Sequence, residues 1–104
     1  MNNQQSQPNN QNSNQKQMQI KISYSTLEGS YANAMQSLHT KVEFVLDFMN
    51  LSPHQGVGIV NSRVIMSPGH VKRVIAALKD NLEKYESQFG KVEEADAPAE
   101  LGFK

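Results

Sequence analysis

"MSPGHVKRVIAALKDNLEKYESQFG", residues 66–90, carries the start and stop signals of one complete helix, in a chain whose other ordered stretches alternate with the period of strands. Ser67 is a good N-cap. Pro68 suits the first helical position, where its fixed φ fits and its missing amide hydrogen is not needed, and Gly90 stands where a left-handed residue ends a helix. The spacing predicts about 23 helical residues, or ~34 Å at 1.5 Å per residue. Val71, Val74, Ile75, Leu78, Leu82, Tyr85 and Phe89 form its apolar side. From Ile75 onward the intervals are 3, 4, 3, 4, the narrow seam by which one helix packs on another. A helix that only covers its own sheet shows a wider stripe. The seam Ile75, Leu78, Leu82, Tyr85, Phe89 is therefore the candidate oligomer interface, with simple packing on the chain's own sheet as the alternative.

Working outward, "VGIVNSRVIM" (57–66) reads as a strand, preceded by the loop "SPHQG" (52–56). "KVEFVLDFMNL" (41–51) is the strongest strand, with Val42, Phe44, Leu46 and Phe48 expected to face the core and a mixed opposite face that suggests cover by a partner subunit. "YANAMQSLH" (31–39) reads as a third, with Ala32 and Ala34 leaving room for a close neighbour. In "MQIKISY" (18–24), Met18, Ile20, Ile22 and Tyr24 alternate with polar residues as a fourth. The expected fold is α+β: a four-stranded antiparallel meander followed by one long C-terminal helix.

The ends differ in composition. Residues 2–17 contain 12 Asn or Gln among 16 residues, too little apolar surface to offset the entropy of ordering. Residues 1–17 are thus expected to be a disordered polar tail, and residues 91–104, rich in acid, Ala and Pro, a flexible acidic one. Between them, residues 18–90 form a single domain. At this size one core supplies only ~3–5 kcal/mol without further help, and self-association is the simplest help.

Composition weighs against several chemistries. Formal net charge is zero, so no global field draws the chain to nucleic acid or an anionic membrane. Cysteine is absent, which removes disulfides, thiolate metal sites and thiol redox chemistry. With no apolar run near ~18 residues and no signal-peptide pattern, a cytoplasmic protein with no membrane partner is expected. His39, His54 and His70 lack a second ligand at i+3 or i+4, so no metal is expected. Glu43 and Asp47, four apart on a strand, would lie ~13 Å from each other, too far for a glycosidase pair. No nucleophile has a base beside it. The chain reads as a non-enzyme without cofactors.

Two charged features remain. Arg63, His70, Lys72 and Arg73 cluster around the start of the helix, where the dipole disfavours cations, and are candidates for binding an anion or a partner. A hairpin centred near residue 55 would instead set Asp47 opposite Arg63, making them a candidate structural pair.

"YAN" at 31–33, "EFVLDF" at 43–48 and "SRVIMSP" with "KYESQFG" further on resemble a small bacterial and archaeal family of unknown function, whose members are about this long. The resemblance spans nearly all of the ordered chain and implies no activity, substrate or cofactor. Gly69, where the family more often looks acidic, and Val71, where a small residue is usual, depart from the pattern. In architecture alone, four strands and a long helix are similar to the export chaperone SecB, which holds extended non-native chains. The expected function is a homo-oligomeric binding or scaffold protein, chaperone-like, with itself and extended or non-native polypeptide as partners. The alternative is a nucleic-acid-associated protein using the basic cluster.

Overall fold

The structure is a computed structural model, and it describes residues 17–97. The expected polar tail before Gln17 and the end of the acidic tail after Ala97 lie outside the described residues. The described chain is α+β: a short helix α1 (Tyr24–Glu28), strands β1 (Ala34–His39), β2 (Phe44–Ser52) and β3 (Val57–Met66), and the long helix α2 (Pro68–Phe89). The strands form one antiparallel sheet in the order β1-β2-β3.

Local chemistry explains the connections. Between β1 and β2 the Thr40 hydroxyl accepts from the amides of Val42 and Glu43, both at 3.2 Å, and the Thr40 amide donates to the Glu43 carbonyl at 2.9 Å. Such a side-chain turn is what Thr offers in place of a ladder. Between β2 and β3, Pro53–Gln55 form a single 3-10 turn that ends on Gly56 in the left-handed region, φ 63° and ψ 28°, a conformation glycine adopts without steric cost. β2 and β3 then pair from Ser52↔Val57 to Phe44↔Met66, with a register shift between Phe48 and Met49. Asn61 is the extra residue on β3, and such a bulge bends its strand and re-aims the side chains beyond it.

α2 starts and stops close to where its sequence signals stand. The Ser67 hydroxyl accepts from the His70 amide at 3.2 Å, and Pro68 occupies the first turn. Gly90 does take a positive φ of 100°, yet its ψ of 168° is extended rather than left-handed helical; its amide donates to the Glu86 carbonyl at 2.9 Å. Beyond it the chain stays against the last turn, where the Val92 amide donates to Glu86 Oε2 at 2.9 Å.

Two expectations need correction. The described residues form three strands, not four. Residues 17–23 carry no regular structure and α1 follows, because the Ser23 hydroxyl caps it by accepting from the Thr26 amide at 3.3 Å and pairs with the Thr26 hydroxyl at 2.9 Å. Ser and Thr so placed offer the backbone a local partner in competition with a sheet. The second correction concerns the face of β2. Phe44, Leu46 and Phe48 are only half-buried and Val42 is exposed, whereas the buried residues, Asp47 and Met49 at 3% exposure each, belong to the opposite face. Asp47 lies in the central strand with long side chains across from it on both sides, Gln36 on β1 and Arg63 on β3. That flanking shuts out water without any covering layer.

Candidate functional site

Met49 is the only buried hydrophobic residue among the described residues. Directly opposite residues in an antiparallel sheet share a face. One face therefore carries Phe44, Leu46 and Phe48 with Met66, Val64 and Ser62 beside them; the other carries Val45, Asp47 and Met49 with Ile65, Arg63 and Val60. Among the described residues neither is fully covered: the segment around Ser25 and Thr26 overhangs only Phe48, Ser62 and Val64, and Val64 and Ile65 stay exposed on their respective faces, as do Met35 and Leu38 of β1.

α2 has no buried residue at all, and only Val71, Val74 and Glu86 are even half-buried. Its contacts with the sheet are too few to rank beside those among the strands. The seam residues are all open, with Leu78 66% and Leu82 50% exposed and Ile75, Tyr85 and Phe89 in the same range. Tyr85 and Phe89 touch each other along the helix, ring centroids 5.0 Å apart. On the same helix Lys84 pairs with Asp80 at 3.3 Å, an i,i+4 contact worth ~0.3–0.5 kcal/mol. α2 is thus an amphipathic helix whose apolar side faces nothing among the described residues.

The basic cluster divides. Arg63 Nε donates to Asp47 Oδ1 at 2.7 Å and Nη2 to Oδ2 at 2.8 Å, a two-pronged pair with the carboxylate buried and 61% of the Arg63 side chain exposed. Those hydrogen bonds hold the Asp47 carboxyl below its ordinary 3.8, with the Arg63 charge adding to them and burial opposing. Arg63 is pushed up by the same contact. His70, Lys72 and Arg73 lie exposed in the first two turns of α2, and among the described residues neither Lys72 nor Arg73 has an ion-pair partner.

An anion would find few donors there. Pro68 has no amide hydrogen, the His70 amide is taken by Ser67 Oγ and the Val71 amide by the Ser67 carbonyl, so Gly69 alone offers one in the first turn. His39 stacks on Phe44 at 5.4 Å and His54 sits in the 3-10 turn. No group of three or more His, Asp or Glu able to hold a metal exists among the described residues. An open cleft of about 560 Å³ lies between Ser25, Thr26 and Ser30 on one side and Phe48, Ser62 and Val64 on the other, without a titratable side chain in its lining.

Asn33 and Asn61 were not singled out by the sequence pattern. Asn33 extends the β1–β2 ladder with its side chain: Nδ2 donates to the Leu51 carbonyl at 3.0 Å, Oδ1 accepts from the Leu51 amide at 2.7 Å, and the Asn33 amide reaches the Met49 carbonyl at 3.0 Å. Asn61, at the bulge, donates from Nδ2 to the Tyr31 carbonyl at 2.7 Å. A polar amide beside apolar strand residues, as in "YAN" and "VNS", is the signal that marks both.

These features define a class before they define a family: a small α+β protein with an open sheet, a pinned ion pair and a long helix left without an apolar partner. The family described as protein of unknown function, DUF3467, matches residues 1–94, and the chain belongs to it. No curated protein and no solved structure gives a match. Among the described residues no helix is long and apolar enough to cross a membrane.

Proposed function

We propose that this protein is a non-enzymatic homo-oligomeric scaffold or binding protein whose hydrophobic core is completed by a second copy of itself. One observation carries the reading: among the described residues a single buried hydrophobic residue, Met49, is set against exposed apolar side chains on both sheet faces and along all of α2. Burying one such side chain contributes ~1.5–3 kcal/mol, while ordering the backbone costs ~1–2 kcal/mol for every residue. A lone chain cannot balance those terms. A second copy brings a helix with the same seam spacing, so α2 can pack on α2 across a two-fold axis, with each surface serving as the other's complement. The neutral net charge suits association through apolar surface.

Sedimentation at micromolar concentration tests this. A dimer or larger species is expected, and a single monomeric species with a cooperative melt removes the reading. The proposed client is an extended or non-native polypeptide held in an apolar groove between sheet and helix or between subunits, a reading supported by the exposed apolar side chains of both. It is checked by whether the protein suppresses aggregation of an unfolding client at equimolar ratio. The nucleic-acid alternative rests on His70, Lys72 and Arg73, since Arg63 is engaged by Asp47. Salt-dependent retention on a polyanion column would favour it.

A further inference from the structure

We infer that residues 18–22 leave their own chain and add as a fourth strand to the β3 edge of a second copy, so that the two copies exchange strands. The inference rests on the homo-oligomeric reading above and adds which segments meet.

Three observations converge on it. Residues 18–22 have the strand alternation Met18, Ile20, Ile22 without a strand partner, and those side chains stand 85%, 89% and 60% exposed. An unpaired strand pattern leaves its backbone donors and acceptors bare and its apolar face wet. Second, among the described residues β3 is an unpaired edge of ten residues without Pro or Lys, and its two guards, the bulge at Asn61 and the charge of Arg63, fall in its middle and leave Val57–Val60 and Val64–Met66 unprotected. The other edge, β1, has only six residues and carries His39 at its end.

Third, the path of the chain selects both the edge and the copy. The Asn33 latch on Leu51 and the Asn61 bond to the Tyr31 carbonyl carry the segment before β1 across the sheet to β3. There Ser25 and Thr26 line the cleft over Phe48, Ser62 and Val64. A segment riding over a sheet face lies out of that sheet's plane, and stacked sheets are separated by ~10 Å. Residues 18–22 continue from this overhanging segment and make no backbone hydrogen bond to a strand of their own sheet, which leaves them to a second copy's edge. In that copy the reciprocal edge is open too, and a two-fold axis satisfies both at once.

The test uses the full chain, mixing isotope-labelled and unlabelled copies. The expected result is slowed hydrogen exchange at alternating amides of residues 18–23, with intermolecular contacts by nuclear Overhauser effect from Met18, Ile20 or Ile22 to β3. The full-length variant Ile20→Pro, which removes a donor from the added strand, should raise the dissociation constant at least about tenfold. Exchange of residues 18–23 at free-peptide rates overturns the inference, as do contacts confined to one chain or a direct β3-to-β3 pairing. Sedimentation of the same sample separates the two levels. A dimer with an unprotected segment sinks the strand exchange and leaves the homo-oligomer standing, whereas a monomer sinks both.

Discussion

β2 and α2 are the two best-patterned segments of this chain, and they end up in opposite surroundings. β2, the nine-residue central strand, is flanked on both sides and holds both buried residues, Asp47 and Met49. α2 is more than twice as long, has a cap at its start and a glycine at its end, and buries nothing. The difference teaches that regular secondary structure and burial are separate properties. A strand at the centre of a sheet acquires neighbours within its own chain, through ladders that the backbone enforces. A helix satisfies its backbone internally and needs neighbours only for its side chains, so its apolar face can wait for another molecule.

The largest effect that would break or sharpen this contrast is expected from Leu82→Lys in the α2 seam. Leu and Lys have nearly equal helix propensity, so the change removes packing while leaving the helix its intrinsic preference. If the seam is interior only in the assembly, each copy loses ~1.5–3 kcal/mol and a two-fold pair about twice that, or two to four decades in dissociation constant. Sedimentation should show dissociation, and circular dichroism a concentration-dependent loss of helix. An unchanged mass would mean that α2 is the exposed helix it looks like in one chain.

The next effect belongs to β2. Because the Asp47 side chain is 4% exposed and that of Arg63 61%, the two halves of their pair are not equivalent. Arg63→Ala strands a carboxylate in the sheet, whereas Asp47→Ala frees a guanidinium that already reaches water. The expected order of loss, read from denaturant midpoints, is Arg63→Ala greater than Asp47→Ala, with the double variant less unstable than Arg63→Ala alone. Arg63→Lys should recover little, since an ammonium cannot reproduce the two-pronged contact. Equal losses would show that Asp47 is solvated and that β2 resembles α2 more than its burial indicates.

How far the sequence could be read follows the same division. The bounds of β3 and, to within two residues, of α2 were legible, because caps, Pro, Gly and period act locally. The opposition of Asp47 and Arg63 is read from a hairpin centred near residue 55, yet the turn closes Ser52 on Val57, and Asp47 meets Arg63 only because Asn61 is the extra residue on β3. The bulge at Asn61 was not legible: it depends on how the 3-10 turn at Pro53–Gln55 closes, which shifts the register by one beyond Phe48. Nor could the Asn33 latch be read, since it requires knowing that β1 starts one residue later. The face of β2 that is buried was misjudged because alternation ranks faces by hydrophobicity. In a sheet with little over it, the long side chains of Gln36 and Arg63 across Asp47 shield better than the short ones of Ser37 and Val64 shield Leu46. Residues 18–24 show the limit from the other side, where a strand pattern met a local Ser and Thr cap.

Acid should sharpen the contrast further, with a smaller effect. The Asp47 carboxyl is held below its usual 3.8 by Arg63, so near and below that pH the unfolded chain binds a proton that the folded chain does not. Stability from the pair is then fully present above pH ~4 and is lost as pH falls through the lower, folded value. Denaturant midpoints of the native protein should drop across that interval more than those of Asp47→Asn. A parallel fall in both would assign the acid sensitivity to other carboxylates.

The smallest expected effect lies where the sheet hands the chain to α2. Ser67 accepts the His70 amide, and its removal in Ser67→Ala exposes a donor at a helix start for ~1 kcal/mol. Ser67→Asp should hold or exceed native stability, because a carboxylate caps equally well and meets the helix dipole together with the unpaired Lys72 and Arg73. The cap acts within one chain, so thermal midpoints of Ser67→Ala should run parallel to those of the native protein as concentration is varied, unlike those of Leu82→Lys. If the Ser67→Ala offset instead grew on dilution, the first turn of α2 would itself belong to the interface between copies, and the boundary between the self-sufficient sheet and the dependent helix would lie before Ser67 rather than beyond Val74.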